Sequence, residues 1–122
     1  MYDISVDDIK EVYIVADQIA LTETTYYILL SLYKPLHGYG IMQRTAELSG
    51  GRIQLAAGTL YGALNAMVDK GWIALLPGEG RKKEYQLMPI GLEVLKKELA
   101  RLRELVAIGD MVLKEETKCL NE

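Results

Sequence analysis

The stretch GTLYGALNAMVDKGWIALL in the middle of the chain constrains the fold more than any other part of the sequence. Leu60, Leu64 and Met67 recur at intervals of four and three, the spacing that places apolar side chains on one face of a helix. Gly71 stands where a left-handed residue would end such a helix. The apolar run after it is typical of a strand. The stretch therefore predicts a helix over 57–70 that buries one face and turns tightly into a strand.

The opposite face of this helix carries small or hydrogen-bonding groups instead of the usual Glu/Lys mixture: Thr59, Tyr61, Gly62, Asn65 and Lys70. Thr59 and Tyr61 can donate hydroxyls to phosphate oxygens, and the N–H groups of the helix start near Ala57 point the same way. Asn65 can reach a base edge, as asparagine pairs with adenine. A plain core helix, with Tyr61 buried and Asn65 merely solvated, is the alternative that these residues leave open.

A basic loop and a second strand follow the helix. The sequence predicts strands at 72–76 and 84–88, separated by PGEGRKK. Three adjacent cations end this loop: Arg81, Lys82 and Lys83. Each would neutralise one phosphate, whereas a solvated turn is the alternative. Arg52, ahead of the helix, is a further candidate. Helix, strand, basic loop and strand together outline a winged helix-turn-helix, with the loop as its wing.

Three helices are predicted before this segment. Thr22 is a candidate N-cap for a helix that is apolar on most sides and stops at Pro35. The next helix spans 38–49, with four residues expected to point inward: Ile41, Met42, Thr45 and Leu48. Residues 52–55 are consistent with a short extended piece. A capping box also predicts a first short helix over 6–18, although part of that segment would suit a strand.

From Ile90 the sequence predicts one long helix over 90–118. Its apolar residues alternate intervals of three and four, which is heptad spacing interrupted at Gly109. The residues of this seam are Leu92, Leu95, Leu99, Leu102, Val106 and Leu113. A helix of this length has more apolar surface than a small domain can cover, so we expect these residues to form a dimer interface.

A pocket for a small molecule is a further expectation, because flat aromatic walls suit planar, drug-like cations. The candidate lining residues are Trp72, Leu105, Ile108 and Met111. For Trp72, packing beside the core is the alternative. For the other three, it is a plain subunit interface.

The distribution of charge matters more than its total. A net charge of −3 and an isoelectric point of about 5.2 count against a nucleic-acid binder, since such domains are usually basic. However, residues 37–89 hold six Lys/Arg against four Asp/Glu, whereas residues 1–36 hold two against six. The predicted helix-turn-helix and wing are therefore the basic part of the chain.

Enzymatic chemistry is not expected. The chain has one histidine and one cysteine, His37 and Cys119, and no nucleophile–base pair or metal cluster at recognisable spacing. We therefore expect no catalytic residue, metal or cofactor, with His37 capping or packing and Cys119 a bystander. No apolar run approaches the roughly 18 residues of a membrane span, and no signal peptide begins the chain. A cytoplasmic protein without a membrane partner is expected.

Five segments in this order and spacing resemble the PadR family of transcriptional regulators. They are PLHGY at 35–39, SGGRI at 49–53, GTLYGAL at 58–64, DKGWI at 69–73 and RKKEYQL at 81–87, followed by Gly91. The resemblance covers about 22–118 and is closest to the short-tailed subgroup, which has one terminal helix. The chain departs from the family at Met88-Pro89, where a capping threonine is common, and in its acidic extension over 1–21, which we expect to be helical.

The resemblance implies a winged-helix domain over 22–89 whose GTLY helix enters the major groove of double-stranded DNA, and a homodimer held by the helix over 90–118. It also implies repression released by a small aromatic or drug-like molecule, and it places Tyr39 near the DNA backbone, a half-buried helix staple being the alternative. We therefore expect a mainly α fold with a small β-hairpin, and a homodimeric, DNA-binding repressor. A winged-helix module that binds a protein partner and not DNA is the alternative function.

Overall fold

The computed structural model describes residues 20–120, apart from the side chains of Arg81 and of residues 116–120. Ala20–Leu95 is one compact unit, and the chain from Lys96 onward belongs to a second unit. The helix expected over 6–18 lies outside the described residues. The domain boundaries expected after residues 21 and 89 stay predictions.

Helices α1 (Glu23–Ser31), α2 (Gly38–Leu48) and α3 (Ala57–Asp69) lie in the Ala20–Leu95 unit, close to the predicted bounds. The hydroxyl of Thr22 accepts a hydrogen bond from the Thr25 N–H at 3.1 Å, which confirms Thr22 as the N-cap of α1. In α2, Ile41 and Thr45 are fully buried as expected. The expectation for Leu48 is wrong in part, because this residue is 37% exposed at the end of the helix.

The link between α2 and α3 is held by its own backbone and by one serine. Gly50 and Gly51 adopt φ values of 63° and 85°, a conformation that disfavours any side chain. The Ser49 hydroxyl accepts from the Ile53 N–H at 2.9 Å and donates to the Ala46 carbonyl at 3.2 Å. No strand forms over residues 52–55. The spacing between the two helices is therefore set by a bonded turn.

A small antiparallel sheet completes the unit. Strands β2 (Ile73–Leu75) and β3 (Glu84–Leu87) form the predicted hairpin, and a two-residue strand, β1 (Leu36–His37), joins the other edge of β3. Leu36 pairs with Tyr85 and His37 with Glu84. The sequence did not predict β1. The fold is mainly α with a small sheet, as expected, but the sheet has three strands within residues 20–120.

The core lies among α1, α2, α3, the sheet and the first turns of α4 (Pro89–Leu120). Its buried hydrophobic residues are Ile28, Leu29, Leu32, Ile41, Leu60, Leu64, Met67, Ile73, Tyr85, Val94 and Leu95. The helix-spaced residues of α3 are all in this set. Their burial confirms the apolar face that the sequence predicted.

Gly91 allows α4 to approach the sheet closely. A Cβ placed at Gly91 would lie 2.1 Å from the Trp72 carbonyl oxygen and 2.9 Å from its carbonyl carbon. The same oxygen accepts from the Met88 N–H at 2.9 Å. The first turn of α4 therefore packs directly against backbone at the start of the hairpin.

Within the described residues, the second unit consists of α4 from Lys96 onward. Glu98 is only 2% exposed, and the Arg101 Nε donates to its carboxylate at 3.0 Å. The heptad pattern did not indicate a buried acid at this position. Along the described chain, none of the helices is both long and apolar enough to cross a membrane.

Candidate nucleic-acid interface

Helix α3 begins at Ala57 as predicted, directly after the extended residue Ala56. The side chain of Ala56 makes no capping hydrogen bond, so the first N–H groups of the helix keep their capacity to bind an acceptor. All five residues of the predicted polar face are exposed: Thr59, Tyr61, Gly62, Asn65 and Lys70. Their placement on the outer side of α3 agrees with the sequence. Their contact with DNA stays a prediction.

Packing within the protomer does not require glycine at two exposed positions of α3, Gly58 and Gly62. A Cβ at Gly58 or at Gly62 would meet nothing within 4 Å. The two positions are one turn apart and therefore share a face. Glycine inside a helix costs roughly 0.5–1 kcal/mol relative to alanine. Their effect is a lowered helix surface that another molecule can approach closely.

Tyr61 is neither a core residue nor a free surface residue. It is 42% exposed, and its ring end lies over the first residue of α2. A Cβ at Gly38 would lie 2.4 Å from the Tyr61 hydroxyl oxygen, so Gly38 makes room for this ring. Burial, and to a smaller extent Tyr61, raises the pKa of Tyr85 above its usual value of 10.0. The Tyr61 hydroxyl is therefore positioned at the junction of α3 with α2.

The start of α2 carries Tyr39 on its outer surface. Tyr39 is 64% exposed, so its alternative interpretation as a half-buried staple is wrong. The Gln43 amide donates to the Tyr39 hydroxyl at 3.4 Å. The residue before the helix, His37, accepts from the Gly40 N–H through Nδ1 at 3.0 Å. His37 therefore caps α2, which confirms its predicted role.

The predicted wing lies between β2 and β3. It contains a single 3-10 turn over Gly80–Lys82, and Gly80 adopts a φ of 62°. At its base, the Leu76 N–H donates to the Glu84 carbonyl at 2.8 Å. The side chains of Lys82 and Lys83 are exposed. Arg81 lies in the same turn, and its side chain is outside the described part of the structure. Phosphate contact by all three residues stays a prediction.

Arg52 does not stand alone in the turn ahead of α3. Its guanidinium forms an ion pair with the carboxylate of Glu23, in the first turn of α1. Both side chains are more than half exposed. Sequence reasoning missed this contact because the two residues are far apart along the chain.

The residues expected at a dimer interface divide into two groups. Leu95 is 7% exposed and belongs to the core of its own protomer, so its assignment to the interface is corrected. Leu92, Leu99 and Leu102 are partly buried. Val106 and Leu113 are exposed on α4, as are Leu105, Ile108 and Met111, which were expected near an effector. Contact of these residues with a second subunit or an effector stays a prediction.

Trp72, the fourth residue expected near an effector, is partly buried and packs against the core. The ammonium group of Lys70 lies 4.6 Å from the centroid of its indole ring. An intramolecular cation therefore already occupies one face of the aromatic surface that was expected to bind a cationic ligand. This geometry favours the packing interpretation of Trp72.

Known proteins are similar to this chain over a segment that includes α2, α3 and the wing. Residues 27–97 match the model of the family described as the transcriptional regulator PadR-like family. A Streptomyces fradiae protein described as an uncharacterized 37.1 kDa protein in transposon TN4556 is 41% identical over 71 residues, which are 56% of this chain. The matched segment spans only 20% of that relative.

Two solved structures are similar over most of the chain. The complex hsRosR-S1, of RosR from H. salinarum, is 27% identical with a TM-score of 0.61, and the match covers 83% of this chain and 90% of that one. A PadR family transcription regulator from Clostridium difficile R20291 is 24% identical with a TM-score of 0.64, covering 75% and 99%. The second likeness shows the fold alone.

The family match includes α2, α3, the wing and the first turns of α4, and it covers more than half of the 122 residues. The glycine-containing α3, the capped start of α2 and the wing are thus parts of one recognised domain. The chain belongs to the PadR-like family of transcriptional regulators.

Proposed function

We propose that the protein is a homodimeric repressor that reads a roughly palindromic operator through two copies of α3, one in each half-site. In this arrangement the outer side of α3 enters the major groove, Tyr39 and the wing contact flanking phosphates, and a small aromatic or drug-like molecule releases the DNA. The protein acts in the cytoplasm.

The observation that carries this proposal is the lowered outer surface of α3. Gly58 and Gly62 leave open space, while Thr59 and Asn65 beside them supply hydrogen-bonding groups. A helix that inserts into the major groove needs close approach together with polar groups that reach base edges or phosphates. Helix propensity alone would favour alanine at both positions. Close approach of a bound partner accounts for glycine there instead.

The wing supports the same proposal through electrostatics. Lys82 and Lys83 are exposed in the short wing, where the 3-10 turn leads into β3. Cations held on a hairpin can neutralise phosphates without ordering a long loop. Each such contact releases counterions from DNA, so affinity should fall with added salt.

The exposed apolar side chains of α4 support the dimer. Among the described side chains beyond Lys96, six large hydrophobic ones are about half exposed or more: Leu105, Val106, Ile108, Met111, Val112 and Leu113. A contiguous apolar face of this kind is costly in water and is typical of an interaction site. A second copy of the same helix is self-complementary to such a face, as in isologous dimers.

The test of DNA reading is a titration of the purified protein against its own upstream intergenic DNA, followed by fluorescence anisotropy at two salt concentrations. A scrambled duplex of equal length is the control. We expect selective binding that weakens with salt. Changing Arg81, Lys82 and Lys83 together to alanine should lower affinity and reduce the salt slope by about 0.9 for each phosphate that the variant no longer neutralises.

A matched pair of variants separates the wing from the general effect of charge. Lys82→Ala/Lys83→Ala removes two cations from the wing, and Lys96→Ala/Lys97→Ala removes two from α4. We expect the wing variant to lose more affinity and more salt dependence. Equal losses would argue against phosphate contact by the wing.

A protein-interaction module is the second candidate, and the overall net charge of −3 favours it. In that case the exposed face of α3 would bind a protein segment instead of DNA. Binding of a protein partner, together with no selective and salt-dependent affinity for the intergenic DNA, would support this function and contradict the repressor.

A further inference from the structure

Arg52 lies in the turn that leads into α3, and its guanidinium pairs with Glu23 at the start of α1. This is a contact between two parts of the domain that are distant in sequence. In the proposed DNA complex, the turn ahead of α3 lies beside the phosphates that flank the major groove. The guanidinium therefore has two possible partners, the carboxylate of Glu23 and a DNA phosphate.

The backbone of Arg52 cannot move far to resolve this competition. Its N–H donates to the Ser49 carbonyl at 3.3 Å, and the next residue, Ile53, donates to the Ser49 hydroxyl at 2.9 Å. The side chain is 66% exposed and that of Glu23 is 51% exposed. The guanidinium can therefore change partner by rotation of its side chain alone, and a phosphate has access to it.

The two partners compete for the same donors. A guanidinium binds carboxylate and phosphate through the same planar set of N–H groups, so full bonding to one reduces bonding to the other. This competition weakens the bound state relative to a protein without the acid.

We propose that Glu23 is an internal competitor for Arg52, which exchanges the carboxylate for a DNA phosphate on binding, so that Glu23 lowers the affinity for the operator. The inference rests on the proposed DNA-binding function. It assigns to Glu23 a role that opposes binding and that acts through Arg52 alone.

The test is a double-mutant cycle of Glu23→Gln and Arg52→Ala, with operator binding measured by fluorescence anisotropy at one low salt concentration. Glutamine keeps the size of the side chain and removes its charge. An exposed ion pair is weak, so we expect Glu23→Gln to tighten binding about two- to fivefold for each Arg52 that contacts DNA. In the Arg52→Ala background the same change should have no effect.

Glu47→Gln is the matched control, because Glu47 is an exposed carboxylate in a similar pair, 3.5 Å from Arg44. Equal tightening by Glu47→Gln, or tightening by Glu23→Gln that persists without Arg52, would reduce the effect to net charge and overturn the inference. Unchanged or weaker binding by Glu23→Gln would also overturn it.

Failure of the proposed function and failure of the role of Glu23 give different results. If the wild-type protein binds no duplex selectively, the proposed function fails, and this inference fails with it. If the wild-type protein binds its operator but Glu23→Gln does not tighten binding, only the role of Glu23 fails. Thermal melting of each variant checks that the fold is retained.

Discussion

Replacing Gly91 by alanine should destabilise the protein even though the residue lies in a helix. At an unconstrained helix position this change adds about 0.8–1.0 kcal/mol of stability. At Gly91, however, the new Cβ would be 2.1 Å from the Trp72 carbonyl oxygen, and the atoms that it meets first are backbone. Neither the strand nor α4 can move aside as a flexible side chain would.

The size of the effect follows from two terms. Overpacking by one methyl group costs about 1–3 kcal/mol. Displacing the Trp72 carbonyl also strains its hydrogen bond with the Met88 N–H, which is 2.9 Å long and is worth about 1 kcal/mol. After subtraction of the gain in helix propensity, we expect a net loss of about 2 kcal/mol. For a chain of this length, that corresponds to a Tm lower by about 6–10 °C.

The assay is urea or thermal unfolding of Gly91→Ala beside Gly62→Ala at one protein concentration, because the proposed dimerisation would make Tm depend on concentration. Gly62 is also helical, but its Cβ would meet nothing within 4 Å. Gly62→Ala should therefore raise stability by up to about 1 kcal/mol. The opposite signs are the prediction. A Gly91→Ala protein that melts at or above the wild-type temperature would refute the role of the backbone contact.

Three further outcomes are expected. His37→Ala should lower the free energy of unfolding by about 1 kcal/mol, because the Gly40 N–H loses its acceptor. His37→Asn should restore most of this stability, since asparagine can also cap a helix. Equal losses of stability for the two variants in urea melts would contradict the capping role. Burial raises the pKa of Tyr85 above 10.0 in the folded protein. The neutral Tyr85 side chain therefore contributes its full stability below pH 10, and this contribution falls as the pH rises through the pKa of the folded state. Tyr85→Phe should make the melting temperature less dependent on pH between pH 9 and 11. Val106→Glu should lower the molar mass measured by light scattering from that of a dimer to that of a monomer, because it places a charge in the exposed apolar face of α4. A variant that remains a dimer would show that the interface lies elsewhere.

Local patterns predicted much of the fold. The spacing of Leu60, Leu64 and Met67 located α3 and its buried face, and all three residues are in the core. Gly71 ends that helix with a φ of 75°, as its position predicted. These features depend on a few neighbouring residues, and the sequence therefore contains the information that sets them.

The features that sequence reasoning missed depend on residues that are distant along the chain. Strand β1 has only two residues and no readable periodicity, and it exists because Leu36 and His37 pair with β3. The partner of Arg52 is set by the packing of α1 beside the turn. Leu95 fits the heptad seam as well as its neighbours do, and only the assembled core distinguishes it from an interface residue.

Strand β1 also has a consequence for the thermodynamics of recognition. His37 caps α2 through its side chain, and in β1 it pairs with Glu84 of β3. The start of α2 and the strand that follows the wing are therefore joined through one residue. Two of the residues for which we propose phosphate contact, Tyr39 and Lys83, are therefore preorganised at a set separation. Ordering the backbone of one residue costs roughly 1–2 kcal/mol of conformational entropy. Because the backbone at Tyr39 and at Lys83 is already ordered in the free protein, DNA binding does not incur this loss at either residue.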